Sequence, residues 1–295
     1  MVYLIAGGVV VWAVTTVITV LAVWFGGAWL RFFNYHRHKK LPLPDGPNWG
    51  RRIQHWVAEA DALVRIHLWR LEPGRSKHTP KLSEAARPVL CVHGFTQDRT
   101  NFSALRRRLW GLGRPSVSVD LGLPGKHPSA FAAHVSDAIA SLHKAYPNAK
   151  MDVVCHSMGG LVLRHALAEN PQLAQHIACI VTLGSPHHGT AAARGPLRWW
   201  PEADGLSRGS AWIAELPTFA DLTPDARVVT IAGTADYIVY PVSTCHLPGT
   251  EAVDLHGVGH AGLLTRAEIL DLIVLAFNGE PVQSVSPAEA DTAQA

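Results

Sequence analysis

A serine stands at a point where a strand-like apolar run gives way to a helical one, in the Cys-His-Ser-Met-Gly-Gly string of residues 155–160. A serine in a sharp strand-to-helix turn presents its hydroxyl at the edge of a sheet, and small neighbours let the flanking backbone pack closely. The string has Cys155 at the first position of the Gly-x-Ser-x-Gly pattern. It predicts that Ser157 is a nucleophile, and the alternative is a serine that only caps the following helix.

A serine hydroxyl needs an imidazole to take its proton and a carboxylate to hold that imidazole in the right tautomer. Asp236 directly follows one late predicted strand, and His260 follows the last one. Both therefore lie in loops where a triad with Ser157 could assemble. Other candidates remain open: Asp204, Asp221 and Asp254 for the acid, and His246 and His256 for the base.

Attack on an ester carbonyl also requires backbone N–H groups that meet the developing negative charge. The amide of Met158 directly follows the nucleophile, and the amide of Phe95 follows Gly94 at the end of the first predicted strand. These two amides are the predicted oxyanion hole. A plain strand-ending turn is the alternative interpretation of residues 93–94.

Short apolar runs alternate with helical patterns between residues 87 and 278, which is typical of an α/β fold with a mostly parallel sheet covered by helices on both faces. Ligands in such sheets bind beyond the carboxyl ends of the strands, where Ser157, Asp236 and His260 lie. Asp254 lies instead within a predicted strand, and Asp204 and Asp221 lie in the insert described below. The predicted strands are 89–92, 117–121, 151–155, 177–183, 228–232 and 252–255, and the main predicted helices are 102–112, 130–146, 159–168 and 266–277.

An insert over residues 191–224 interrupts this alternation on the ligand side of the sheet. It carries Trp199, Trp200 and Trp212, which we expect to bind substrate if the insert is a lid over an apolar acyl pocket. An ordinary packed helical excursion is the alternative.

Residues 87–278 resemble α/β-hydrolases of the bacterial lipase and esterase type. The resemblance rests on His-Gly-Phe at 93–95, the Ser157 turn, Ser-Pro-His-His-Gly-Thr at 185–190, Asp236 and His260. It implies hydrolysis of carboxylic esters, and we expect acyl lipid esters, through an acyl-serine intermediate without a cofactor. Some related lipases bind calcium through aspartates near the histidine loop, but no aspartate closely follows His260, so no metal is expected. A thioesterase or acyltransferase could use the same triad, and a non-catalytic interaction module is a further alternative.

Residues 2–30 contain no Asp, Glu, Lys, Arg or His. As a helix they would span about 43 Å, more than the roughly 30 Å hydrocarbon layer of a bilayer, which predicts a transmembrane anchor over residues 1–35. A cleaved signal peptide is the alternative, although the run is long and its start is not basic. Basic residues follow the run, so we expect a single-pass cell-membrane protein with its main domain in the cytoplasm.

Residues 36–86 are predicted to form a juxtamembrane linker and an amphipathic helix with apolar residues at spacings of three and four from Ile53 to Leu71. Its opposite face mixes Glu59 with Arg52, which favours packing of the apolar face on the domain over lying on a bilayer. Residues 279–295, rich in Ser, Pro, Ala and acid, are predicted to be disordered.

Charge and cysteine content exclude two further classes of protein. The first 45 residues hold four basic residues against one acid, so the other 250 carry 22 basic and 22 acidic residues. A balanced charge gives no footprint for nucleic acid, which needs clustered Lys and Arg. Four cysteines in 295 residues, three of them within apolar runs, predict buried thiols rather than a disulfide framework.

Overall fold

The computed structural model describes residues 37, 39, 49–69, 86–122, 125–194 and 202–283. Six strands in these ranges form one parallel sheet in the order β2-β1-β3-β4-β5-β6. The predicted α/β architecture is confirmed. The strands are β1 (Val89–Val92), β2 (Ser116–Ser118), β3 (Met151–His156), β4 (Ile177–Leu183), β5 (Arg227–Gly233) and β6 (Glu251–Leu255).

Helices cover the sheet at both faces and fill the insert. They are α1 (Trp49–Trp69), α2 (Ser103–Gly111), α3 (Ala132–Ala145), α4 (Met158–Glu169), α5 (Glu202–Leu206), α6 (Ala211–Glu215), α7 (Phe219–Leu222), α8 (Gly262–Thr265) and α9 (Ala267–Asn278). Strand β2 ends at Ser118 rather than at residue 121. Beyond it the Leu121 amide donates to Nε2 of His93 at 3.2 Å, and the chain turns at Gly122, where φ is positive.

Successive strand residues point to opposite faces, so the sheet has an apolar core on each side. On one side Leu90 and Val153 contribute to a core with α3, α4 and the insert helices. On the other side Val89 and Val154 contribute to a core with α1, α2 and α9. Near-continuous apolar strands are what burial on both faces requires.

Helix α1 packs through a different face from the one that the sequence predicts. Its buried residues include Glu59 and Ala62, whereas much of the predicted packing face is exposed: Ile53, Val57, Val64 and Leu68 are 44–55% exposed. The predicted packing face is therefore wrong in part, since Leu63 packs against the core but these four residues do not. A tertiary contact sets the orientation of the helix: the Glu59 carboxylate accepts hydrogen bonds from two backbone amides at the start of α8.

No helix in the described part of the chain is long and apolar enough to cross a membrane. The predicted anchor, residues 1–35, lies outside the described residues. In the first part of the linker that follows it, the structure describes Arg37 and Lys39. Most of the predicted disordered tail also lies outside the described residues.

Candidate active site

Ser157 lies in a strained turn between β3 and α4, as the pattern predicts. Its φ of 54° and ψ of −129° are unusual for a residue with a side chain. Such a conformation costs on the order of 1–3 kcal/mol and persists where the surroundings enforce it, which is common at functional sites. The serine is 8% exposed, so its side chain is nearly enclosed.

Glycines make room for this turn. A Cβ on Gly159 would lie 2.5 Å from the Val92 carbonyl oxygen, and one on Gly94 would lie 2.7 Å from Cβ of Ser157. Neither distance is compatible with a side chain. The close packing of the Ser157 turn against the end of β1 therefore requires glycine at positions 94 and 159. Cys155, in contrast, is buried in the core below the turn.

Asp236 and His260 form a buried pair. Nδ1 of His260 lies 2.6 Å from Oδ2 of Asp236, and the other carboxylate oxygen accepts from the amides of Ile238 and Val239 at 2.8 Å each. Because a carboxylate can only accept, Nδ1 of His260 carries the proton, and Nε2 is left available as a base.

The serine lies beside this pair. The Ser157 amide donates to the Leu183 carbonyl at 2.9 Å, and the next residue is Gly184. A Cβ on Gly184 would be 3.2 Å from both His260 Nδ1 and Asp236 Oδ2. The structure thus brings Ser157, Asp236 and His260 to one edge of the sheet, although no hydrogen bond between the serine hydroxyl and His260 is present among the described residues; such contacts are often long without substrate.

His156 is a member of the site that the sequence analysis missed. Its Nε2 lies 3.0 Å from the backbone oxygen of His260, so Nε2 must be the donor. The centroids of the two imidazole rings lie 4.5 Å apart. Burial holds the pKa of His156 well below its usual value, and the positive charge of His260 lowers it further. The N–H at Nε2 of His156 therefore supports the His260 backbone, while Nδ1 lies 2.9 Å from Oε1 of Gln97.

The pKa of His260 lies above its ordinary value of 6.5. Burial acts to lower it, but the charge of Asp236, the hydrogen bond to Asp236 and the charge of Glu59 together outweigh burial. Glu59, from the distant helix α1, is a second residue that sequence reasoning did not place here. Burial raises its pKa from 4.5 to about 7 in spite of its hydrogen bonds to the backbone.

Phe95 and Met158, the predicted oxyanion-hole residues, both lie close to Ser157. Phe95 follows Gly94, which packs directly on the Ser157 side chain. Met158 is the first residue of α4, so its amide has no acceptor within that helix. Their role as donors to an oxyanion remains a prediction.

The alternative acids and bases have other contacts. His246 and Asp254 pair with each other at 2.9 Å, and the other ring nitrogen of His246 lies 2.8 Å from Thr230 Oγ1. Asp221 accepts from the Thr218 amide at the start of α7. Asp204 and His256 are exposed.

The Ser-Pro-His-His-Gly-Thr string of residues 185–190 links several parts of the site. Thr190 Oγ1 donates to the Ile238 carbonyl at 2.7 Å, two residues after Asp236. Arg164 of α4 donates to the His187 carbonyl at 3.1 Å. The string therefore positions the acid loop against the helix that follows the nucleophile.

The insert contributes one of its three predicted substrate-binding tryptophans to the described residues. Trp212 on α6 is half-buried, and its ring meets His127 and His165 edge-on at centroid distances of 5.0 and 5.8 Å. Trp199 and Trp200 lie outside the described residues. Their predicted contact with substrate stays a prediction.

Comparisons with known proteins agree with this fold. A sequence model of one family, described as "Domain of unknown function (DUF7379)", matches residues 62–259. The structure is similar to the lipase BlEst2 of Bacillus licheniformis in its mature form, with a TM-score of 0.52 and 19% identity over 68% of this chain and 96% of that one. It is also similar to lipase B of Aspergillus fumigatus, with a TM-score of 0.59 and 19% identity over 70% of this chain and 56% of that one. At these identities the likeness identifies the fold, which is that of the α/β-hydrolases.

Proposed function

The chain belongs to the DUF7379 family, whose description assigns no activity, and we propose that it is a serine hydrolase that cleaves carboxylic esters through an acyl-serine intermediate. The observation that best supports the proposal is the 2.6 Å hydrogen bond between His260 and Asp236, next to a serine in a strained turn. That bond fixes the imidazole tautomer needed for a base.

The proposed reaction uses these groups in two steps. Ser157 Oγ bonds to the carbonyl carbon while its proton passes to Nε2 of His260, and the amides of Phe95 and Met158 meet the oxyanion. Collapse breaks the bond to the alcohol oxygen, which leaves with the proton from Nε2. Water then attacks the acyl-serine, giving its proton to Nε2, and the carboxylic acid departs as the proton returns to Ser157.

Labelling with a fluorophosphonate tests the nucleophile. The wild-type chain should be labelled, Ser157→Ala should not, and Ser141→Ala, at an exposed position on α3, should be labelled as wild type. A wild-type chain that resists the probe while ester substrates remain intact would support the non-catalytic interaction module instead. A chain that is labelled but transfers acyl groups to an acceptor, or cleaves only thioesters, would support the thioesterase or acyltransferase alternative.

The proposed substrate is an acyl lipid or a similar apolar ester. The support is the insert, whose half-buried Trp212 packs against the apolar core that the sheet forms with α3 and α4. Rates on p-nitrophenyl esters of increasing chain length should rise beyond acetate. Strict preference for acetate would contradict a lipid-like substrate.

The proposed location is the cell membrane, through residues 1–35 with the main domain in the cytoplasm. An additional observation supports contact with a bilayer: Ile53, Val57, Val64 and Leu68 form an exposed apolar stripe on α1, shortly after the basic residues that follow the uncharged run. The chain should stay in the membrane pellet after alkaline carbonate washing. Protease added to spheroplasts should leave the main domain intact, and digestion from outside would refute this orientation.

A further inference from the structure

Glu59 joins helix α1 to the segment that carries His260. Both carboxylate oxygens accept backbone hydrogen bonds, one from Ala261 and the other from Gly262 at 3.0 Å. These are the two residues that directly follow His260. The contact therefore bridges about 200 positions of sequence to fix the backbone on one side of the imidazole.

The same carboxylate also fits against the residue before His260. A Cβ on Gly259 would lie 2.2 Å from Glu59 Oε2, so this glycine leaves the space that the carboxylate fills. Glu59 is 2% exposed and His260 is 7% exposed. The glutamate therefore holds both flanks of His260 in a region that water barely reaches.

The charged surroundings of Glu59 couple it to the proposed triad. The groups whose charges act on it are His260, which favours the carboxylate, and Asp236, which disfavours it, and Glu59 in turn acts on the buried Tyr237. One and two turns earlier on α1 lie His55, which contacts Gly257, and Arg52, which is buried.

Arg266 faces the same loop from the residue before α9. It donates to the Gly257 carbonyl at 3.2 Å, and its Nε lies 3.6 Å from where a Cβ on Gly262 would be. An ionised Glu59 favours the imidazolium form of His260, in the same direction as Asp236.

From these contacts we infer that Glu59 is a positioning residue for the proposed ester hydrolysis: its carboxylate, carried by α1, fixes the backbone around His260 and so places the imidazole between Asp236 and Ser157. The inference rests on the proposed function. It assigns α1, which lies outside the region that resembles a lipase, a part in the reaction.

Glu59→Gln in the full-length chain tests this, because it keeps the size of the side chain and removes both the charge and one acceptor. The rate of inactivation by a fluorophosphonate should fall by about 10- to 100-fold, as expected when a reacting group is displaced by about 1 Å. The acid limb of the pH profile should move to lower pH, since the charge that favours the imidazolium is gone. A purely structural role would not move this limb. Asp61→Asn, which removes an exposed carboxylate paired with Arg65 on the same helix, should change neither quantity.

NMR of ¹³C-labelled histidine, with His260 assigned from the His260→Ala spectrum, gives the pKa of His260 independently of turnover. A lower pKa in Glu59→Gln, together with slower inactivation, supports the inference. If the variant reacts at the wild-type rate with an unchanged His260 pKa, Glu59 does not position the base, and the ester hydrolase proposal stands without it. A wild-type chain that does not react refutes both.

Glu59→Asp provides the test should the glutamine variant not fold. It keeps the charge but shortens the reach by one methylene, so inactivation should slow while the pH profile stays close to wild type. Inactivation at the wild-type rate would overturn the inference.

Discussion

Asp236→Asn should abolish nearly all activity while leaving the fold intact. Oδ1 of Asp236 accepts from the amides of Ile238 and Val239, and only an oxygen can replace it there. The asparagine must therefore place its NH₂ group at the position of Oδ2, which lies 2.6 Å from Nδ1 of His260.

An NH₂ group at that position can only donate, so Nδ1 of His260 must accept and the proton moves to Nε2. A protonated Nε2 cannot take the proton of Ser157. Loss of the correct tautomer in a triad of this type lowers kcat by about 10⁴-fold, which corresponds to about 5 kcal/mol in the barrier. KM should change little, because Asp236 lies behind His260 and is 1% exposed.

The assay is hydrolysis of a p-nitrophenyl ester, with kcat and KM determined separately and thermal unfolding measured alongside. Asp254→Asn is the matched control, because it removes a carboxylate paired with His246 rather than with His260, and it should keep wild-type kcat to within about twofold. If Asp236→Asn kept a tenth of the activity, the tautomer argument would be refuted. A 10⁴-fold loss in Asp254→Asn instead would assign the acid to the other pair.

Three further results are expected. The activity of the wild type should rise with pH through a midpoint above 6.5, because the pKa of His260 is raised and only its neutral form accepts a proton. The measurement is a pH–rate profile from pH 5 to 9, and a midpoint below 6.5 would contradict the prediction. Gly159→Ala should lower the free energy of unfolding by about 1–3 kcal/mol, because its Cβ would lie 2.5 Å from the Val92 carbonyl oxygen. Gly111→Ala is the control, since a Cβ there meets no atom within 4 Å, and it should not destabilise the protein in thermal melts. The free energy of unfolding of the wild type, relative to Glu59→Gln, should fall by about 3 kcal/mol as pH rises from about 4 to 8. The folded-state pKa of Glu59 is raised, so its contribution to stability is complete below the pKa of the unfolded chain and is lost as pH rises through about 7. Denaturant unfolding at several pH values measures this difference, and a difference that does not change with pH would contradict the prediction.

The sheet and the three candidate triad residues could be predicted because their signals are local. Strands such as β3 and β4 are apolar on both faces, which only a covered parallel sheet explains. Parallel strands bring their carboxyl ends to one edge, so loops distant in the chain meet there. Knowing which strand a loop follows was enough to select Asp236 over Asp254, although Asp254 also has a histidine partner.

The contacts around His260 could not be predicted, because no periodicity encodes them. His156 looks like any apolar-run residue, yet its ring nitrogen supports the His260 backbone. Glu59 looks like part of a solvated helix face, since a carboxylate is rarely buried without a partner. Its partners are two amides about 200 residues away, and hydrogen bonds to them offset only part of the cost of burial, so the pKa of Glu59 stays raised.

Helix α1 directs the Glu59 carboxylate to the domain beside Ala62 and Ile66, and it directs an apolar stripe outward. The first feature follows from the contact of Glu59 with the His260 loop, and it leaves the stripe of Ile53, Val57, Val64 and Leu68 without cover from the described part of the domain. Exposed apolar area is unfavourable in water by roughly 25 cal/mol per Å², so a bilayer surface would stabilise this orientation of the helix. Because Glu59 and the stripe lie on the same helix, contact of the stripe with lipid and placement of His260 would both depend on the position of α1. Charged residues in place of Val57 and Val64 should therefore reduce hydrolysis of lipid in vesicles more than hydrolysis of a dispersed short-chain ester. Equal losses on both substrates would contradict a role of the stripe in contact with the membrane.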